Sequence, residues 1–113
     1  MIKYFICLSL ILLPLVYNVE GHKIEPSPWK PIRNVQLGYY VEIGRYAIEE
    51  HNTHTKDILT FVKNVRGKEQ YDNGLRYALI IATSNDGVAQ NYEAVVFEKH
   101  VNQDRVLESF MEI

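Results

Sequence analysis

The chain has 113 residues, and its 12 Lys and Arg against 14 Asp and Glu give a net charge of −2. No run of basic residues stands out, so the sequence indicates neither a nucleic acid nor an anionic membrane surface as a partner. A chain of this length can form one small domain with a single hydrophobic core.

The first 21 residues have the pattern of a secretory signal peptide. Residues 1–3 supply a positive charge, residues 4–16 are almost entirely apolar, and Val19-Glu20-Gly21 offers short residues at the positions that a signal peptidase reads. We expect cleavage after Gly21 and secretion of residues 22–113 to the extracellular space or the endomembrane system. A transmembrane helix is the alternative, but the apolar run is shorter than the roughly 20 residues that a span requires.

The mature chain lacks the residue patterns of enzymes and metal sites. Its only cysteine, Cys7, leaves with the signal peptide, so neither a disulfide nor a catalytic thiol remains. Among the histidines only His51 and His54 are close in sequence, and no third ligand lies near them, so a zinc site is not indicated. No nucleophile elbow or phosphate-binding loop occurs. We therefore expect no catalysis, no metal and no cofactor.

Three prolines characterise the arm at the start of the mature chain, residues 22–31. Pro26, Pro28 and Pro31 exclude a helix there, and the residue before each of them is held extended. Trp29 and Ile32 are expected to anchor the arm to the core.

A single helix is predicted over residues 35–52, with Asn34 as its N-cap. The residues that recur at helical spacing on its apolar face are Leu37, Tyr40, Val41, Gly44, Ala47, Ile48 and His51. Because Gly44 and Ala47 are small, another element should pack very close to the helix backbone. The polar side carries two pairs at ion-pair spacing, Glu42–Arg45 and Arg45–Glu49.

Four strands are predicted after the helix, over residues 58–66, 75–83, 92–99 and 106–111. The side chains expected on the core face are Tyr77, Leu79, Ile81, Tyr92, Ala94 and Val96, and an apolar strip of Ile80, Val95 and Phe97 is expected on the outer face. Turns are predicted at Asp72-Asn73-Gly74, at Asn85-Asp86-Gly87 and at residues 100–103. The pattern predicts an α+β domain in which a four- to five-stranded antiparallel sheet wraps one long helix, with a further strand from the arm.

Four segments of the mature chain resemble the cystatin family, and the plant cystatins (phytocystatins) in particular. They are Trp29-Lys30-Pro31-Ile32, the helix segment from Ile43 to Asn52, Leu59-Thr60-Phe61, and Tyr92-Glu93-Ala94-Val95-Val96-Phe97. The resemblance implies that residues 22–113 form a cystatin domain that inhibits papain-like cysteine proteases. Plant defence or restraint of the organism's own proteases is the role such a family implies, and a monomer and a domain-swapped dimer both remain open.

Cystatins occlude the protease cleft with an N-terminal arm, a first hairpin reading Gln-x-Val-x-Gly and a second hairpin carrying Pro-Trp. The resemblance places these pieces at Ser27-Pro28, at Gln70-Tyr71-Asp72-Asn73-Gly74 and at His100-Val101. All three depart from the family pattern. We therefore expect weak or narrow inhibition, and we expect Asp72→Val to improve it by at least about tenfold. The alternatives are that Asp72-Asn73-Gly74 serves only as a turn, and that the domain is a non-inhibitory interaction module.

Overall fold

One helix and five strands make up the computed structural model, which describes residues 25–100 and 103–113. In chain order the elements are β1 (Lys30–Pro31), α1 (Gly38–His54), β2 (Thr60–Tyr71), β3 (Leu75–Asn85), β4 (Val88–His100) and β5 (Gln103–Glu112). The strands form one antiparallel sheet in the order β1-β2-β3-β4-β5. The predicted α+β architecture is confirmed, including the short strand from the arm.

Two predictions fall on residues that the structure does not describe. The predicted signal peptide, residues 1–21, and the start of the arm lie outside the described residues, as does Val101 of the second hairpin. Within the described part of the chain, no helix is both long and apolar enough to cross a membrane.

The core lies between the inner face of the sheet and one side of α1. The predicted core positions Ala47, Tyr77, Leu79, Ile81 and Ala94 have no solvent exposure. Ile43 and Val96 are equally buried, whereas Leu37 is 54% exposed and precedes the helix, so its assignment to the apolar face was wrong.

The helix begins three residues later than predicted, at Gly38 instead of residue 35, and ends at His54 instead of residue 52. The prediction that Asn34 is the N-cap is wrong, because the Asn34 side chain closes a separate turn ahead of the helix. Its Oδ1 accepts from the backbone N–H of Gln36 at 3.0 Å. The N-cap position is Leu37, which has no side-chain cap.

Gly44 explains how closely the helix meets β2. A Cβ at this position would lie 2.4 Å from Oδ1 of Asn64 and 2.8 Å from the ring of Phe61. The fully buried Asn64 donates from Nδ2 to the backbone carbonyls of Val35 at 2.9 Å and Tyr40 at 3.0 Å. Two register shifts flank Asn64 in the β2–β3 pairing, and such bulges bend a strand. The sheet therefore wraps the helix at this point.

The two ion pairs predicted along α1 are not formed among the described residues. Glu42 pairs instead with Arg105 of β5 at 3.1 Å, and the guanidinium of Arg45 lies 4.7 Å from the centre of the Phe61 ring. Both helix side chains therefore contact strand residues and not each other, because the strands lie within their reach.

Of the two predicted anchors of the arm, only Ile32 packs against the core. Trp29 lies on the outer face of the sheet, where it is 37% exposed and Nζ of Lys68 is 5.0 Å from its ring centre. Its assignment to the core was wrong because β1 follows the edge of the sheet, and the Trp29 side chain reaches the outer face.

Candidate functional site

Three separate segments meet at one end of the sheet, which we call the loop end. Tyr71 pairs with Leu75 to close the first hairpin, and His100 pairs with Gln103 to close the second. Because Leu75 also pairs with Glu98, the first hairpin lies beside the last residues of β4. The two hairpins, which the family resemblance assigns to one binding surface, are therefore neighbours in the sheet.

The arm reaches the same end through Ser27. The backbone N–H of Ser27 donates to the carbonyl of Tyr71 at 2.8 Å, and the backbone N–H of Tyr71 donates to Oγ of Ser27 at 2.8 Å. Gln70 adds a hydrogen bond from Nε2 to the carbonyl of Ser27 at 3.1 Å. These bonds align the arm with the first hairpin, and Pro28 is exposed directly after them.

The backbone of the first hairpin requires the residues found there. Asn73 has a φ of 58°, and Gly74 has a φ of 155°. A Cβ on Gly74 would lie 2.7 Å from the ring of Phe97 and 2.8 Å from the carbonyl of Glu98. The turn interpretation of this segment is thus supported by Asn73 and Gly74, while Tyr71 beside them is 49% exposed and available for contact.

Asp72 has an internal partner that the sequence analysis missed. Nη1 of Arg76 donates to the Asp72 carboxylate at 2.7 Å, and Nε of the same guanidinium donates to Glu108 of β5 at 2.7 Å. These bonds to Glu108 and Asp72 raise the pKa of Arg76 above its ordinary value. The Asp72 carboxylate is therefore not an unpaired charge at the tip of the hairpin.

The second hairpin is supported from the inner face by a buried carboxylate, Glu98. Its side chain has no exposure and accepts from Nε of Arg105 at 2.8 Å and from the hydroxyl groups of Tyr39 and Tyr77. Arg105 in turn donates to Glu42 of the helix at 3.1 Å. Burial, followed by the hydrogen bond to Glu98, raises the pKa of Tyr39.

The strand pattern contained a signal for Glu98 that the sequence analysis did not use. Glu98 continues the inward alternation of Ala94 and Val96, so its side chain had to enter the core and find partners. Arg76 carried no comparable signal, since Glu108 lies 32 residues away in the chain. His100 is exposed at the end of β4.

Metal binding was the other possibility considered for the ionisable side chains. In residues 25–100 and 103–113, no group of three or more His, Cys, Asp or Glu side chains could hold a metal ion. His51 lies at the end of the helix face as predicted, with Nε2 at 2.7 Å from Asp57 and its ring stacked on Phe110. Nε2 of His54 lies 3.1 Å from Oε1 of Glu50.

Residues 32–113 match the model of a family described as "Aspartic acid proteinase inhibitor". The chain is 35% identical over 96 residues to cysteine proteinase inhibitor 1 of Actinidia chinensis var. chinensis, covering 84% of this chain and 83% of the relative. It is 36% identical over 112 residues to cysteine proteinase inhibitor 5 of Arabidopsis thaliana, covering 96% and 89%.

The fold is that of solved cystatins. The salivary cystatin of the soft tick Ornithodoros moubata superposes with a TM-score of 0.67 at 13% identity, over 77% of this chain and 97% of that one. Dimeric human cystatin F superposes with a TM-score of 0.66 at 16% identity, over 80% and 89%. Sequence and fold agree, and the chain belongs to the cystatin family, alongside the plant cysteine proteinase inhibitors.

Proposed function

We propose that this protein is a reversible inhibitor of papain-like cysteine proteases that blocks the active-site cleft with its loop end. The observation that carries the proposal is the meeting of the arm, the first hairpin and the second hairpin at that end. The relatives named cysteine proteinase inhibitors, which match this chain over most of their own length, support the same target class.

Inhibition would be steric, because the arm and the two hairpins would together fill the cleft and keep substrates out. Tyr71 is the exposed aromatic residue of the first hairpin, and Ser27 holds the arm beside it through two backbone-linked hydrogen bonds. The inhibitor would leave the protease thiol unreacted and would dissociate intact.

We expect the inhibition to be weak or narrow because the second hairpin begins with His100 where the family carries Pro-Trp. Losing a tryptophan anchor at the centre of an interface typically costs about 2 kcal/mol or more, which is about 30-fold in Kd. The pairing of Asp72 with Arg76 reduces the penalty that an unpaired carboxylate would add.

A titration of papain with the secreted protein, from nanomolar to high micromolar concentration, tests the proposal. Tyr71→Ala should weaken inhibition, whereas Val88→Ala should not, because Val88 is an exposed apolar residue beside the turn at the opposite end of the sheet. If folded protein does not inhibit papain at the highest concentration, the proposal fails for papain, and the alternative of a non-inhibitory interaction module is favoured.

Secretion and assembly belong to the same proposal. We expect cleavage after Gly21, which N-terminal sequencing of protein from a eukaryotic culture medium would test, and an intact leader on that protein would contradict it. Gel filtration of the same sample separates a monomer from a domain-swapped dimer. A secreted inhibitor would act in defence or in restraint of the organism's own proteases.

A second candidate is inhibition of aspartic proteases. It is favoured by the match of residues 32–113, which include both hairpins, to a family described as aspartic acid proteinase inhibitors. A pepsin titration at acidic pH, run beside the papain titration with the same Tyr71→Ala and Val88→Ala variants, decides between the two targets. Inhibition of pepsin alone would replace the first proposal.

A further inference from the structure

Arg76, at the base of the first hairpin, contacts both the tip of that hairpin and the neighbouring strands. Its guanidinium donates to Asp72 at the tip, to Gln70 at 3.0 Å, and to Glu108 on β5 at 2.7 Å. The guanidinium carbon also lies 4.9 Å from the centre of the Phe97 ring on β4. One side chain on β3 thus joins the hairpin to two further strands.

We propose that Arg76 is a positioning residue that holds Asp72 against the sheet, so that the first hairpin meets a protease as a preorganised tip without an unpaired charge. This inference rests on the proposed function and names the residue that makes the hairpin competent for it. We call the Arg76–Asp72 pair, with its anchor Glu108, the hairpin latch.

Preorganisation matters because a flexible tip must be ordered when it binds. The latch acts at the side chain, while the backbone N–H of Asp72 donates to the carbonyl of Gly74 at 2.9 Å and closes the turn. Both groups of the pair are already largely withdrawn from water, with side-chain exposures of 21% for Arg76 and 26% for Asp72. Binding therefore buries a pair that is already formed.

The opposite charges of Arg76 and Asp72 predict how substitutions at the two positions combine. Without Arg76, the Asp72 carboxylate would enter the cleft without its counter-charge, and an unpaired ion is strongly disfavoured on burial. Without Asp72, the tip carries no carboxylate that needs a counter-charge, so the loss of Arg76 should then affect inhibition little. The effects of the two substitutions on inhibition should therefore be strongly non-additive.

A double-mutant cycle on the secreted protein tests this. Arg76→Met should raise Ki for the inhibited protease by about tenfold or more, but by less than about twofold when introduced together with Asp72→Val. Arg66→Met is the matched control, because Arg66 is an exposed arginine of β2 away from the loop end, and it should leave Ki unchanged. An equal effect of Arg76→Met in both backgrounds, or no effect in either, overturns the proposal.

A second measurement separates failure of the latch from failure of the proposed function. Hydrogen exchange of the Asp72 amide should be faster in Arg76→Met than in wild type and in Arg66→Met, with matching circular dichroism spectra as the check on folding. If the wild type inhibits no protease but this amide is protected only when Arg76 is present, the proposed function fails and the conformational role remains. Unchanged exchange overturns the latch whatever the inhibition result.

Discussion

Replacing Glu98 with valine should destabilise the domain markedly, although valine is the better strand former. The substitution removes a carboxylate with no exposure, which accepts hydrogen bonds from Arg105, Tyr39 and Tyr77. Removing one partner of a buried ion pair usually costs about 3–5 kcal/mol, since the other charge is left in a poorly solvated place.

The structure places the cost toward the lower end of that range. Arg105 keeps Glu42 as a partner at 3.1 Å, and the hydroxyl groups of Tyr39 and Tyr77 remain 2.8 Å apart and can bond each other. The buried valine methyl groups recover about 1 kcal/mol. We therefore expect the free energy of unfolding to fall by about 2–3 kcal/mol.

Urea unfolding with a fitted m-value measures this change. Glu93→Val is the matched control, because Glu93 lies on the same strand but faces outward, and it should change stability by less than about 0.5 kcal/mol. Adding Arg105→Met to Glu98→Val should restore part of the loss, since replacing a whole buried pair by apolar side chains is often neutral. If Glu98→Val is as stable as wild type, the reasoning about this carboxylate is wrong.

Two further predictions concern the packing of α1. Gly44→Ala should cost about 1–3 kcal/mol in urea unfolding despite the helix preference of alanine, because the new Cβ meets Asn64 and Phe61, and an unchanged midpoint would contradict the close approach. Burial and the hydrogen bond to Glu69 raise the pKa of Tyr40 to about 12. Since this pKa lies above the unfolded value of about 10, the stabilisation is present below about pH 10 and is lost as the pH rises toward 12. The stability difference between wild type and Tyr40→Phe should shrink over that range, and a constant difference would count against the assignment.

The fold could be predicted where periodicity and local chemistry determine it. Helical spacing identified α1, and the small Gly44 correctly indicated a close neighbour. Alternation identified the inner faces of β3 and β4, and Asn-Gly and Asp-Gly marked the turns. Element ends were less accurate. Asn34 was a plausible cap by residue type, but its side chain closes a turn instead, and β2 continues to Tyr71 through polar residues that pair with both neighbouring strands.

The positions of the two hairpins in the sheet were predictable, but the ion pairs around them were not. Family resemblance located both hairpins, and the structure places them side by side. The partner of Asp72 was missed because Arg76 lies on the next strand and is itself oriented by Glu108, a residue distant in sequence. Side-chain networks of this kind depend on the register of three strands, which local pattern does not specify.

The two hairpins are braced by charged groups on opposite faces of the sheet. On the outer face Arg76 holds Asp72 to Glu108, and on the inner face Arg105 is held by the buried Glu98. Ordering a side chain at an interface costs about 0.5–1.5 kcal/mol, so a loop end that is rigid before binding avoids part of that cost. On the proposed function, such preorganisation would offset some of the affinity expected to be lost with the tryptophan anchor. On the same proposal, a first hairpin held in this way would also make inhibition narrow in range, because a preorganised tip adapts poorly to clefts whose shape it does not already match.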